Sequence, residues 1–152
     1  MSLNDLFWMQ KALEQAQLAA TADEVPIGAV LVHHNQHISS GYNQPLSQND
    51  PTAHAEIVAI RKAAQSLGNY RLPGTTLYCT LEPCAMCLGA MINARIARLV
   101  FAAAEPKSGA VISQCRLADS YYNHRIDYTH GVLAEASRQM LKQFFLNKRQ
   151  KP

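Results

Sequence analysis

Apolar residues recur every third or fourth position through Leu6, Met9, Leu13, Ala16 and Ala20, the spacing of a helix with one buried stripe. Asn4 or Ser2 stands where its N-cap belongs. Past Pro26 the pattern changes to a continuous apolar run over residues 27–33, which predicts a buried strand. A turn around Asn35 then predicts a second strand, residues 37–42, returning antiparallel. Helical spacing resumes at Ile57, Ile60, Ala64 and Leu67, and Gly68 sits where such a helix ends. Residues 75–80 read as a strand, 84–93 as a helix of small residues and 97–103 as another strand. Residues 104–125, with Pro106 and Gly109, read as loop with short helical pieces. A last strand over 126–133 and a helix from 134 to about 148 complete the chain. Strands alternating with helices predict an α/β layered domain with helices on both faces of the sheet.

Composition narrows the class. The 152 residues are 48% hydrophobic and 16% charged, which excludes a disordered or low-complexity chain and suits a single domain, residues 1–152, with its own core. No apolar run reaches the ~20 residues of a membrane span, and the N-terminus lacks the apolar stretch of a secretory signal, so a cytoplasmic protein is expected. Charge is unevenly placed. Residues 1–137 hold nine basic and eleven acidic groups, whereas 138–152 hold Arg138, Lys142, Lys148, Arg149 and Lys151 with no acid. Such a tail suits a phosphate backbone, or simply a solvated helix end whose cations complement the helix dipole.

Two segments carry the chemistry: Pro51-Thr-Ala-His54-Ala-Glu56 and Leu81-Glu-Pro83-Cys84-Ala-Met-Cys87. Cys84 and Cys87, three apart at the start of a helix, face one side. There the helix N-terminus favours the thiolates that a metal requires. Pro83 suits the first helical position. A second helix start, capped by Asp50 or Thr52, presents His54. His54 and Glu56 are two apart, so they reach one centre only if His54 lies in an irregular first turn. One His and two Cys leave a fourth tetrahedral position for water, the composition of catalytic zinc, one ion per chain. Glu56 is then free to move a proton instead of binding metal. Taken singly these groups have plainer readings: a redox Cys pair, half a zinc knuckle, a buried histidine, a surface acid. Cys79 reads as a buried strand residue and Cys115 as an unpaired loop thiol.

His-x-Glu followed by Pro-Cys-x-x-Cys is the signature of zinc nucleobase deaminases, in which a non-ligand Glu is the acid and base. With Glu24-Val-Pro-Ile-Gly-Ala-Val30, Asn69-Tyr70-Arg71-Leu72, Asn123-His124-Arg125, Phe144-Phe145 and Lys148-Arg149, nearly the whole chain resembles the bacterial tRNA-specific adenosine deaminases. The resemblance implies a three-layer α/β/α cytidine-deaminase-like fold with a mixed five-stranded central sheet. It also implies a homodimer and the hydrolytic conversion of the wobble adenosine of a tRNA anticodon to inosine. By position, His54, Cys84 and Cys87 would hold Zn²⁺, Glu56 would shuttle protons and Asn43 would bind the purine. Tyr70, Arg71, Lys107, Asn123, His124 and Arg125 fall in segments expected to line the tRNA groove. In Phe101-Ala-Ala-Ala-Glu105-Pro-Lys107-Ser-Gly109-Ala-Val-Ile-Ser113 the chain departs from the family pattern. Glu105 replaces a shorter acid, and Val111-Ile112 replaces small residues, where the nucleotide beside the target is expected. The alternative is a deaminase of free guanine- or cytosine-type bases or nucleosides, which shares the zinc signature; the basic tail and residues 123–125 favour a polyanion. A silent zinc-stabilised binding protein would have lost Glu56.

Overall fold

The computed structural model describes residues 2–120 and 122–150. Lys151 of the basic tail lies outside them. Helix α1, Leu3–Thr21, starts at Ser2, whose hydroxyl accepts from the Asp5 N–H. Strands β1, Gly28–His33, and β2, Gln36–Tyr42, form a hairpin through His34 and Asn35, both at positive φ. After them come a short helix α2, Pro45–Gln48, and α3, Ala55–Leu67. Strand β3, Thr75–Leu81, leads into α4, Ala85–Ala94, and β4, Arg98–Ala103. A 3₁₀ turn, Leu117–Asp119, precedes β5, Asp127–His130, and α5, Ala134–Gln150.

The five strands form one mixed sheet in the order β2-β1-β3-β4-β5, parallel from β3 to β5 and antiparallel at β1 and β2. Strand alternation sorts the core into two layers. Val30, Val32, Tyr78, Val100 and Ala102 meet Trp8, Met9 and Ala12 of α1. Ala29, Leu31, Leu77, Cys79, Leu99 and Phe101 meet the apolar faces of α3 and α4. This is the expected three-layer α/β/α sheet fold. The central strands are buried on both faces, which is why they are nearly all apolar in sequence. Gly41 lets α3 approach β2, since a Cβ there would lie 2.6 Å from the Ala55 carbonyl oxygen.

Two local expectations change, and one element is added. Helix α2 is four residues long, too short for a periodic signal, and its first turn is held by Glu24, whose carboxylate accepts from the Leu46 and Ser47 N–H groups. Strand β5 is shorter than the expected 126–133, because Gly131 and Leu133 take positive φ and turn the chain away after His130. Neither Asp50 nor Thr52 caps α3; the Asp50 carboxylate instead accepts from the N–H and hydroxyl of Thr52, two residues on.

A buried network holds α1 to the sheet. The Arg98 guanidinium donates two hydrogen bonds to Asp5 at 2.8 Å, and Tyr78 Oη donates a third at 2.8 Å. Arg98 holds the Asp5 carboxyl below its usual range, against the opposing effect of burial. Asp5→Ala leaves both donors without their acceptor and should cost about 2–4 kcal/mol in denaturant melts. Since the native pKa is lowered, the Asp5 contribution is complete above the unfolded carboxylate pKa and is lost as pH falls through the lower native value. Acid should therefore narrow the gap between wild type and Asp5→Ala.

Candidate active site

Helices α3 and α4 both begin at the carboxyl end of β3, and their first turns meet. His54 is the N-cap of α3 and Cys84 the N-cap of α4, both with extended backbone. Neither side chain caps its own helix. They turn inward instead, and Cys87 joins them from the first turn of α4. Pro83 thus precedes the cap, two places before the first helical residue Ala85 instead of at that position, and its carbonyl accepts from the Ala110 N–H. The Nδ1 atom of His54 lies 3.7 Å from Cys84 Sγ and 3.5 Å from Cys87 Sγ. A tetrahedral ion with metal–sulfur bonds near 2.3 Å and metal–nitrogen bonds near 2.0 Å spaces such donors roughly 3.5 Å apart. The three residues therefore fit a metal. Among the described residues they form one group of ligating atoms, all within 4.8 Å of one another.

The electrostatics agree. A hydrogen bond from Cys87, with a further one from His54, pulls the Cys84 thiol down to about 3. Beside that thiolate, and buried, Cys87 keeps its proton more tightly than an ordinary thiol. The Cys84 contact raises the pKa of His54. The free cluster thus holds one thiolate and the protons that a metal would displace. Glu56, 4% exposed, is raised by desolvation, the condition of a group able to take and return a proton.

His54, Glu56, Cys84, Ile27, Leu81, Glu82 and Ser108 line a pocket of about 70 Å³, room for a few waters. Asn43 is beside it: buried, its Oδ1 accepts from the Ala55 N–H at 3.3 Å, which ties it to the start of α3. Glu105 and exposed Lys107 flank Ser108 on the loop after β4. The other expected contacts lie elsewhere. The Leu72 N–H donates to the Ala94 carbonyl, and His124 Nε2 lies 2.8 Å from the Ile96 carbonyl. Exposed Tyr70, Arg71, Asn123 and Arg125 therefore stand at the opposite end of the sheet from the pocket. The basic helix α5 is at the pocket end: Lys148 pairs with Asp23 at 2.7 Å, four residues before Ile27. A groove of about 890 Å³ runs between α1 and α5 and contains none of the pocket residues.

Residues 3–149 match the MafB19-like deaminase family. Over 144 residues the chain is 49% identical to a tRNA-specific adenosine deaminase of Haemophilus influenzae, covering 93% of this chain and 83% of that one. The chain belongs to the tRNA-specific adenosine deaminase family. A solved structure from studies of A-to-I editing by tRNA:A34 deaminases superposes on this deaminase with a TM-score of 0.87 and 46% identity, covering 89% of this chain and 99% of that one. A guanine deaminase from Nitrosomonas europaea shares the fold at a TM-score of 0.75 and 25% identity, covering 91% of this chain and 83% of that one. The deaminase has no helix long and apolar enough to cross a membrane among its described residues.

Besides Asp5, two buried carboxylates of the deaminase escaped sequence reasoning, although Glu24 and Glu82 both lie in the motifs quoted above. Glu24 holds α2. Glu82 accepts from N–H groups of residues 105–113. Hydrogen bonds, those of Ser113 foremost, hold the Glu82 carboxyl low although burial pushes it up. Partners 22 to 31 residues away leave no local pattern.

Proposed function

We propose that the chain is a zinc-dependent deaminase converting the wobble adenosine of a tRNA anticodon stem-loop to inosine, working as a homodimer in the cytoplasm. One observation carries the reading: a buried Glu56 stands beside a three-donor cluster, in a chain 49% identical to a tRNA-specific adenosine deaminase. His54, Cys84 and Cys87 would hold the ion. Zinc, when bound, supplies a water acidified to a pKa of about 7. Glu56 accepts a proton from the attacking water and gives it to N1 of the adenine, which makes C6 electrophilic enough to be attacked. Glu56 then delivers a proton to the departing amine, and water plus adenosine balance as inosine plus ammonia. The Asn43 amide, its oxygen already engaged by Ala55, has N–H groups left to donate to the purine.

RNA binding is divided between the two ends of the molecule. Lys142, Lys148 and Arg149 of α5 would meet phosphates near the pocket, a reading supported by the Lys148–Asp23 pair. Tyr70, Arg71, Asn123, His124 and Arg125 serve RNA bound across a homodimer, at the pocket of the other protomer. Incubation with a tRNA pool and with free adenosine, guanine and cytosine tests the reading through inosine and ammonia release. Deamination confined to free guanine or cytosine compounds would replace it with the small-molecule alternative, which the fold likeness to a guanine deaminase keeps relevant.

Deleting residues 148–152 removes Lys148, Arg149 and Lys151. For a tRNA substrate, log affinity should fall linearly with log salt, and the deletion should make that slope shallower by up to about two. The adenosine chosen should stay the same, because unstacked bases and not phosphates carry sequence. Filter binding across a salt series reads both quantities.

A further inference from the structure

In the loop after β4, one buried side chain gathers several of the backbone donors. Oε1 of Glu82 accepts from the Glu105 N–H at 3.0 Å and the Ser113 hydroxyl at 2.5 Å. Oε2 accepts from the N–H groups of Val111 at 3.0 Å, Ile112 at 2.8 Å and Ser113 at 3.0 Å. An ionised carboxylate offers about four lone-pair sites, so five donors leave none for a substrate. The Glu82 backbone is fixed as well, its N–H donating to the Ala103 carbonyl at 2.8 Å. Gly109 packs directly on the carboxyl group, where any Cβ would overlap it. Between the anchored residues, Ser108 reaches the pocket that holds His54, Glu56 and Cys84.

We propose that Glu82 is a positioning residue for substrate selection: it fixes residues 105–113 as one wall of the pocket, so that Ser108, Glu105 and Lys107 meet the nucleotides flanking the reacting base. The proposal rests on the tRNA reading above. At Val111 and Ile112 the backbone N–H groups, which any residue but proline supplies, hold the loop, and the side chains are not the anchor.

The test uses Glu82→Gln and, as a milder change, Ser113→Ala, each in the zinc-loaded enzyme. An amide puts a donor where the loop presents donors. Hydrogen exchange at residues 105–113 should rise at least about tenfold in Glu82→Gln, with the remaining core unchanged. On anticodon stem-loops differing only in the flanking nucleotide, discrimination should fall towards unity. KM should rise about tenfold while kcat changes less than about threefold, the split expected of lost positioning without lost chemistry. Ser113→Ala should move all three in the same direction by less, and it carries the test alone if Glu82→Gln does not fold. Unchanged exchange in the loop overturns the proposal. So does a loss of kcat that tracks zinc content and folded fraction while KM and discrimination keep their wild-type values. If wild type forms no inosine in any RNA, the functional reading fails instead. The exchange measurement then decides by itself whether Glu82 anchors the wall.

Discussion

Glu56→Gln should keep its zinc and its fold yet lose about 10²–10⁴ in turnover, the usual size of a general acid–base contribution. The amide cannot accept the proton of water or deliver one to the leaving amine. Nor does a neighbour replace it, because the other carboxylate lining the pocket, Glu82, is fully engaged by the loop after β4. Glu56 lies in the first turn of α3 and is buried, so the isosteric change leaves packing intact. Metal analysis, circular dichroism and inosine formation on the same preparation separate the outcomes. Zinc lost together with activity would make Glu56 a ligand and overturn the assigned roles.

Cys87→Ala should lose stoichiometric zinc, all measurable activity and a large part of the stability. Cys87 is fully buried, with its sulfur 3.5 Å from His54 Nδ1. Wild-type protein purified without chelator should hold one zinc per chain. A ligand bound at a thousand times its Kd adds about 4 kcal/mol to the folded state. In a chain of this size that corresponds to a melting temperature roughly 8–16 °C higher. Chelator-treated wild type should melt close to Cys87→Ala, and re-added zinc should rescue only the wild type. Equal melting temperatures with and without zinc would show that the cluster does not hold metal.

Much of the molecule was legible in the chain. Helix spacing in α1 and α3, the apolar runs of β1, β3 and β4, and the Gly68 terminus are local features whose energetics depend on a few neighbouring residues. So was the grouping of His54, Cys84 and Cys87, residue types with metal-ligand chemistry that few others supply. The need for His54 to leave helical geometry followed from its spacing to Glu56, and its extended N-cap backbone meets it.

Tertiary structure decided the rest. The segment from Pro45 to Gln48 has no period of its own; a carboxylate brought in from Glu24 makes it a helix. Nothing local marks Asp5, which binds Arg98 from 93 residues away. Nothing local marks Glu82 either, and it holds a loop 23 to 31 residues later. The residues matched to the tRNA groove separate onto two ends of the sheet, because strand order decides which loops become neighbours. The sequence by itself determined which side chains could do chemistry and which of the longer, strongly patterned segments would be helix or strand. Where those side chains meet, and which carboxylates are buried to hold them there, depends on contacts between segments far apart in the chain, on which local propensity has no bearing.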